Sequence, residues 1–248
     1  MTVVHTMDHE IFNGENYDGL IGGIIPCYPL LLRTAVHYLP TGAKNILELG
    51  CGTGILTEAV LAACPHAKVT GIDIAPDMLD RARAKPLLEK AGFVRGDIRD
   101  AWPENHYEAI ITTLCLHHLP KNERLCLVQR AAHALAPDGR FICGDIFRAD
   151  HDRENRLLIE SWQHSMREGN IPEEIIAGMT SHYIHNATTI STLPEFRDQL
   201  TKAGFSYSFA PLSMSIVGLV IGFMSEKDGM VGEMASVSRG KRAGKRQA

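Results

Sequence analysis

Three glycines at alternate positions follow an apolar run that contains one carboxylate, Glu48. Residues 46–54 read ILELGCGTG, so Gly50, Gly52 and Gly54 are each separated by a single residue. Glycine permits a positive φ and has no Cβ, which lets a ligand approach the backbone closely. The spacing differs from the dinucleotide fingerprint G-x-G-x-x-G, and the loop has no lysine for a phosphate. We therefore expect a nucleotide-like ligand without phosphates here, and a sharp strand-to-helix corner is the structural alternative.

Two further carboxylates follow apolar segments. Asp73 comes 19 residues after Gly54, at the end of KVTGIDI, and Asp97 lies near the end of FVRGDI. A carboxylate at the carboxyl end of a strand can accept two hydrogen bonds from the vicinal hydroxyls of a ribose. Asp73 fits that role by position, and its alternative is to cap the next helix. Asp97 is either a second ligand contact or a loop aspartate that caps nothing.

Adjacent histidines follow the apolar segment Tyr107–Leu116. An imidazole titrates near neutral pH, so either His117 or His118 can act as a general base. The alternative for each is to cap or pack under its loop. His182 and His185 are spaced like metal ligands, but no cysteine or carboxylate set accompanies them and Asp145 stands alone, so we expect no metal site.

The elements that must position these residues alternate between apolar and amphipathic segments. The pattern predicts strands at the start of the glycine loop and at 68–74, 93–98, 107–116, 139–147, 205–214 and 216–224. It predicts helices at 55–64, 76–91, 121–136 and 193–203. Alternation of five strands with helices is typical of an α/β fold with a doubly wound parallel sheet. Ligands bind at the carboxyl ends of such strands, where the two carboxylates and the two histidines would meet.

Five features in this order carry a resemblance to a known family: ELGCGTG, Asp73, Asp97, LCLHHLP and LAPDGRF. Together they resemble class I S-adenosylmethionine-dependent methyltransferases over residues 44–147. The resemblance implies a Rossmann-like, mostly parallel seven-stranded sheet whose last two strands form an antiparallel hairpin at the edge. It implies S-adenosyl-L-methionine as cofactor, with its ribose on Asp73 and its adenine on Asp97 and the backbone of Ile98. The implied cofactor-binding residues are Tyr28, Glu48, Gly50, Cys51, Gly52, Gly54, Asp73, Ile74, Asp97, Ile98 and Leu114.

Outside that range the chain looks like a branch that includes the carboxy-S-adenosylmethionine synthases. The similar segments are Tyr17-Asp18, IPCY at 25–28, IPEE at 171–174 and AGF at 203–205. In those synthases a tyrosine of the matching turn contacts the carboxylate of the cofactor, which supports Tyr28, and a half-buried core tyrosine is the alternative. The synthases also use an arginine in the late helical region. Residues 178–193 of this chain contain none, so carboxy transfer is not favoured.

The pattern divides the chain into an N-terminal helical lid (1–40), a methyltransferase domain (41–225) and a basic, disordered tail (226–248). A helical insertion at 149–192 interrupts the α/β alternation and is placed to cap the acceptor pocket. We expect the acceptor to contact four residues of the lid and the insertion, namely Tyr17, Trp162, His182 and His185.

Composition narrows the class of partner. The 248 residues carry a net charge of −4, and five basic residues in the last ten leave −9 on the rest, so we do not expect nucleic acid on the folded body. RNA binding through the basic tail is the alternative. Six cysteines without a C-x-x-C pair indicate reduced core residues. No leader pattern or apolar run of membrane length occurs, so we expect a cytoplasmic protein without membrane contact, and a homodimer stays open.

The expected function is methyl transfer from S-adenosyl-L-methionine to an oxygen, nitrogen or carbon nucleophile of a small molecule by in-line displacement. Two alternatives remain: transfer or synthesis of a modified cofactor group, as in carboxy-S-adenosylmethionine, and a non-catalytic subunit that binds the cofactor and activates a partner.

Overall fold

The computed structural model describes residues 12–104 and 106–224, and seven strands in these ranges form one sheet. The strands are β1 (Asn45–Leu49), β2 (Lys68–Asp73), β3 (Gly92–Arg95), β4 (Tyr107–Thr113), β5 (Leu135–Ile146), β6 (Tyr207–Met214) and β7 (Val217–Phe223). Their order is β3-β2-β1-β4-β5-β7-β6, with β1 to β5 parallel to one another. Strand β7 runs antiparallel to both β5 and β6. The prediction of a mostly parallel seven-stranded sheet with a hairpin at one edge is confirmed.

Eight α-helices in the described ranges cover both faces of the sheet. They are α1 (Tyr17–Ile24), α2 (Tyr28–His37), α3 (Ile55–Ala63), α4 (Pro76–Arg83), α5 (Lys121–Ala134), α6 (Asp152–Glu168), α7 (Glu173–His185) and α8 (Leu193–Lys202). Buried side chains of α1, α2, α3, α6 and α7 form one apolar cluster with the sheet. Those of α5 and α8 form the other cluster on the opposite face. Burial on both faces explains why the central strands are almost continuously apolar.

Several element boundaries differ from the sequence-based ones. The helix predicted at 76–91 ends at Arg83, because Lys85 precedes Pro86 and adopts an extended conformation with ψ of 119°. Strand β3 ends at Arg95, so Asp97 lies in the following loop. Strand β4 ends at Thr113, where the chain turns through Leu114 with a φ of 52°.

The segment before β1 is tied to the rest of the fold by polar contacts. The Thr53 hydroxyl of the glycine loop donates to Asp18 Oδ1 at 2.5 Å, and Lys85 Nζ lies 2.9 Å from Asp18 Oδ2. The N–H of Gly14 donates to Asp77 Oδ2 at 2.9 Å. The segment that contains Gly14 and Asp18 is thereby held against the loop and against the first turn of α4.

Two other expectations are affected by the structure. Cys27 and Cys126 are exposed, so the prediction that all six cysteines belong to the core is wrong for these two. Residues 1–10 and the predicted tail at 226–248 lie outside the described residues. In the described ranges, no single helix is long and apolar enough to cross a bilayer, although α1 and α2 meet the length and composition test as a pair bent by 93°.

Candidate functional site

A cavity of about 290 Å³ opens at the carboxyl ends of β1, β2 and β4, under the side chains of α1. Its wall includes the glycine loop, both predicted carboxylates and both adjacent histidines. This is the edge at which doubly wound sheets bind ligands. The volume is at the lower end of the range of small-molecule sites.

The glycine loop has the geometry that its sequence predicts. Gly50, Gly52 and Gly54 have φ values of 68°, 51° and 80°. A Cβ built on Gly52 meets no atom within 4 Å, so open space lies directly over the loop at a residue that lines the cavity. A Cβ on Gly50 would lie 2.3 Å from Cys115 Sγ, so this glycine lets the loop pack closely on the end of β4. A ligand can therefore approach the loop backbone from the cavity.

Asp73 joins the loop to the start of α4. Its Oδ2 accepts the N–H of Gly52 at 2.7 Å and its Oδ1 accepts the N–H of Ala75 at 2.9 Å. The N-cap position of α4 is Ala75, so Asp73 does not cap the helix as the alternative supposed. An ionised carboxylate has about four lone-pair positions and can accept several hydrogen bonds at once. The carboxylate lines the cavity, on the side from which hydroxyl donors of a ligand would approach it.

Asp97 is engaged by a neighbour that the sequence did not indicate. Arg99 Nε donates to both carboxylate oxygens at 2.9 and 3.0 Å, and Arg99 Nη1 donates to Glu123 Oε2 at 2.6 Å. These hydrogen bonds raise the pKa of Arg99 above its ordinary value. All three side chains line the cavity, beside Ile98. A ligand amine that reaches Asp97 must share this carboxylate with the guanidinium.

His117 is paired with a buried carboxylate from the end of β5. Its Nδ1 lies 2.5 Å from Asp145 Oδ1, and its backbone N–H donates to Asp145 Oδ2 at 3.0 Å. Asp145 is 2% exposed, and its Oδ1 also accepts the N–H of Ile146 at 2.8 Å. The carboxylate assigns the proton of neutral His117 to Nδ1. Nε2 is then the ring nitrogen that can take a proton.

The second histidine lies against the first. The ring centroids of His117 and His118 are 3.9 Å apart, with the planes tilted by 42°. Both rings line the main cavity and a smaller compartment of about 30 Å³ behind it. Sequence reasoning treated the two histidines alike, and it treated Asp145 as a lone carboxylate. The structure places the buried Asp145 at hydrogen-bond distance from His117, a pairing that the sequence did not indicate.

Four predicted cofactor contacts lie behind the cavity wall rather than in it. Glu48 is 1% exposed and accepts a hydrogen bond from Thr57 Oγ1 at 2.6 Å, and burial raises its pKa to about 8. Cys51 is buried, and a Cβ on Gly54 would lie 2.4 Å from the Leu88 side chain. None of these three lines the main cavity, and the assignment of Glu48, Cys51 and Gly54 to the cofactor stays a prediction.

Tyr28 is the fourth such residue. It is 6% exposed and hydrogen-bonded to Tyr17, and it is Tyr17 that lines the main cavity. Burial raises the pKa of both phenols, so both hydroxyls are protonated at neutral pH. The Tyr28 hydroxyl is bound to that of Tyr17, and contact of Tyr28 with the cofactor stays a prediction. Of the remaining predicted contacts, Gly50, Gly52, Ile74 and Leu114 all line the cavity.

The predicted acceptor contacts divide in the same way. Trp162 is 1% exposed, donates Nε1–H to the carbonyl of Ile24 at 2.7 Å and lines the smaller compartment. His182 lines that compartment too. Its Nε2 accepts from Asn186 Nδ2 at 3.1 Å, because an amide nitrogen can only donate, and the same amide also donates to the carbonyl of His182. His185 is exposed and lines neither space, so its contact with the acceptor stays a prediction without a cavity beside it. No group of three potential metal ligands converges among the described residues.

Comparison with known proteins places this geometry in a family. The family described as "Methyltransferase domain" matches residues 46–139. A carboxy-S-adenosyl-L-methionine synthase of Chromohalobacter salexigens is 26% identical over 206 residues, which cover 74% of each chain. A malonyl-[acyl-carrier protein] O-methyltransferase of Bacillus anthracis is 30% identical over 61% of this chain and 54% of its own.

Solved structures agree on the fold. The plantazolicin methyltransferase BpumL in complex with SAH superposes with a TM-score of 0.65 at 18% identity, over 89% of this chain and 91% of that one. Together these matches indicate an S-adenosylmethionine-dependent methyltransferase with the class I fold. This methyltransferase spans 53 to 62% of the length of several other solved methyltransferases that it matches. The cofactor of the family is S-adenosyl-L-methionine, and the open space over Gly52, the acceptor oxygens of Asp73 and the absence of a phosphate-binding lysine from the loop all fit it.

Proposed function

We propose that this methyltransferase transfers a methyl group to a proton-bearing nucleophile of a small molecule, with His117 as general base and Asp145 as its positioning residue. The observation that carries the proposal is the contact of Asp145 with both the imidazole and the backbone N–H of His117, at 2.5 and 3.0 Å. A small acceptor is supported by an enclosed cavity on the histidine side. A cytoplasmic location and the division into a lid (1–40), a methyltransferase domain (41–225) and a tail (226–248) are part of the proposal.

The cofactor assignment follows the wall of the main cavity. The backbone at Gly50 and Gly52 faces the amino-acid half, Asp73 accepts from the ribose hydroxyls, and Asp97 with the backbone of Ile98 receives the adenine. Ile74 and Leu114 flank the nucleoside, and Tyr17 approaches from α1. The bound cofactor supplies a methyl group on a positively charged sulfur. Its position between these groups leaves the histidine side of the cavity for the acceptor.

The protein contributes orientation and proton transfer. Asp145 holds the imidazole in the Nδ1–H tautomer and stabilises the imidazolium that forms when Nε2 takes a proton. The side chains of α1, including Ile21 and Ile24, exclude water from the reacting groups. Alignment of the nucleophile can supply up to about 7 to 11 kcal/mol of the barrier in favourable systems. Base catalysis contributes a further 10²- to 10⁴-fold in typical enzymes.

Other functions receive less support. Some relatives are named as carboxy-S-adenosyl-L-methionine synthases, but residues 178–193 contain no arginine for an added carboxylate. A subunit that only binds the cofactor has no use for a buried Asp–His pair in its cavity. RNA modification depended on the tail, and the described cavity offers no observation in its favour.

The test measures methyl transfer from methyl-labelled S-adenosylmethionine to a panel of small phenols, amines and carboxylic acids. With the best acceptor, His117→Gln and Asp145→Asn are expected to lower kcat by about 10²- to 10⁴-fold, because each removes one member of the Asp–His pair that takes the proton. The control is His118→Gln, which changes the adjacent ring and is expected to cost less than tenfold. Calorimetry with SAH, expected to give the same affinity for all four proteins, separates lost catalysis from lost cofactor binding.

Two results would contradict the proposal. One is a wild-type protein that binds SAH but labels no member of the panel. The other is a His117→Gln variant that keeps the wild-type rate.

A further inference from the structure

The acceptor side of the main cavity is apolar, and none of the described residues that line it there is a lysine or arginine. Its wall there is built from Phe12, Ile21, Ile24, Ile146 and Met179, together with the two histidines. Among the described residues that line the cavity, the one lysine or arginine is Arg99, on the opposite, Asp97 side. Its guanidinium is already bound to two carboxylates. A group that enters beside His117 therefore meets hydrocarbon and imidazole, with no cation to balance a negative charge.

An acceptor carboxylate is disfavoured by these surroundings. Transfer of an anion from water to an apolar wall is unfavourable unless a cation or several donors compensate it. Asp145, which contacts His117, is a buried carboxylate of the same sign. The buried Arg124 donates to the carbonyl of Thr189 and does not itself line the cavity. The cavity therefore selects against anions, in contrast to an enzyme that methylates a carboxylate.

The contact between His117 and Asp145 also favours a neutral acceptor. A carboxylic acid is ionised at neutral pH and needs no base, whereas a phenolic hydroxyl has a pKa of about 10 and must lose its proton as it attacks. A neutral amine attacks through its lone pair before any proton is lost. A buried Asp–His pair beside the acceptor is most useful to a weakly acidic hydroxyl.

The smaller compartment limits the shape of the acceptor. It holds about 30 Å³, which is room for a group of one or two heavy atoms. Its wall includes Trp162, Met179, Tyr183 and Ile190, so the entering group is apolar. The compartment shares His117 and His118 with the main cavity, which places it directly beside the reacting hydroxyl.

We propose that the acceptor is a neutral phenol-type hydroxyl on an apolar ring, with one small apolar substituent that occupies the smaller compartment. This inference rests on the proposed function and narrows its substrate class. The hydroxyl oxygen forms the new bond to the methyl carbon while the methyl–sulfur bond breaks and its electron pair stays on sulfur. The hydroxyl proton passes to His117 Nε2, so the charge lost from sulfur appears on the imidazolium.

The first experiment measures binding rather than turnover. Calorimetry on the full chain saturated with SAH compares para-ethylphenol with para-ethylbenzoate, which differ mainly in charge. The phenol is expected to bind at least tenfold more tightly. The variant Thr189→Lys adds a cation at a partly exposed position of the cavity wall and is expected to reduce or reverse that preference.

The second experiment tests the compartment. The affinity for para-tert-butylphenol is expected to be at least tenfold weaker than for para-ethylphenol, and Ile190→Ala is expected to recover most of that loss. The thermal midpoint of each variant shows whether it is folded.

The outcomes distinguish the two levels of the proposal. Failure of the wild-type protein to bind SAH would contradict the proposed function itself. Normal SAH binding with benzoate bound as tightly as phenol, or with neither bound, would overturn the acceptor class and leave methyl transfer standing. Equal affinity for the ethyl and tert-butyl phenols would overturn the role of the compartment.

Discussion

Two buried acids within the same fold have different sets of hydrogen-bond partners. Asp145 accepts two backbone N–H groups and contacts an imidazole. Glu48 is equally buried, but its described hydrogen bond is from one hydroxyl, that of Thr57. Desolvation therefore dominates and raises the pKa of Glu48 to about 8. At neutral pH Glu48 is therefore mostly protonated in the fold.

A pH dependence of stability follows for Glu48. Its pKa is about 8 in the fold and 4.5 ordinarily, so the unfolded chain loses this proton first as the pH rises. Its contribution to stability is full below pH 4.5 and decreases until about pH 8, by at most about 5 kcal/mol. Urea unfolding of the wild type and of Glu48→Gln across this range measures the free energy of unfolding at each pH. Subtraction of one curve from the other cancels the contribution of groups that titrate in both proteins. Parallel curves would show that Glu48 is ionised in the fold.

The sequence located the residues around the cavity better than the contacts between their side chains. The glycine loop, Asp73 and His117 could be located because each follows a strand, and parallel strands end at one edge. The contact between His117 and Asp145 joins positions 28 residues apart, and that of Arg99 with Glu123 joins positions 24 apart. Such pairs depend on register and rotamers, which no local pattern encodes. The sequence also did not indicate that Tyr17 lines the cavity and Tyr28 does not, since both lie in apolar helical patterns.

At the scale of elements, α1 is held by contacts at both ends. Asp18 near its start binds the glycine loop and Lys85, and the carbonyl of Ile24 at its end accepts from Trp162 of α6. The helix therefore links the glycine loop to the helical segment that contains Trp162. Sequence pattern predicted helices in both regions, but it could not predict that they meet, because helix packing depends on surface shape.

The link to α6 can be tested with the two tryptophans of the chain. Trp162→Phe removes the donor to the buried Ile24 carbonyl, which is expected to cost about 1 to 3 kcal/mol and to speed amide exchange in α1. The control is Trp102→Phe, which removes a matching donor to the carbonyl of Ile98, far along the chain from α1. Hydrogen exchange read by mass spectrometry compares them. Equal acceleration of α1 in both variants would mean that the Trp162 bond does not hold this helix.

At the scale of the whole molecule, the cavity lies where β1, β2 and β4 end and where α1 closes over them. A ligand that fills it contacts elements from both halves of the chain and stabilises the fold as a unit. The stabilisation follows mass action, at about 2.7 kcal/mol when the ligand is at 100 times its Kd.

Ligand-dependent melting tests the site as a whole. SAH at that concentration is expected to raise the Tm by roughly 5 to 11 °C, since 1 kcal/mol shifts a domain of this size by about 2 to 4 °C. Asp73→Ala is expected to lose most of the shift, because its carboxylate is assigned to the ribose. Asp77→Ala, which removes the acceptor for the Gly14 N–H outside the cavity, is the control. Equal shifts in the two variants would count against the ribose assignment, and the Tm without SAH reports any damage to the fold.

The sheet order has a consequence for synthesis of the protein on the ribosome. Strand β5 pairs with β4 on one side, but its partner on the other side is β7, which begins about 70 residues later in the chain. At about 5 to 20 residues per second, that interval lasts roughly 4 to 14 seconds. Throughout it, an apolar strand edge stands open to neighbouring nascent chains. Slow translation between residues 147 and 217 should therefore lower the yield of this methyltransferase through aggregation, without altering the enzyme molecules that do complete their sheet.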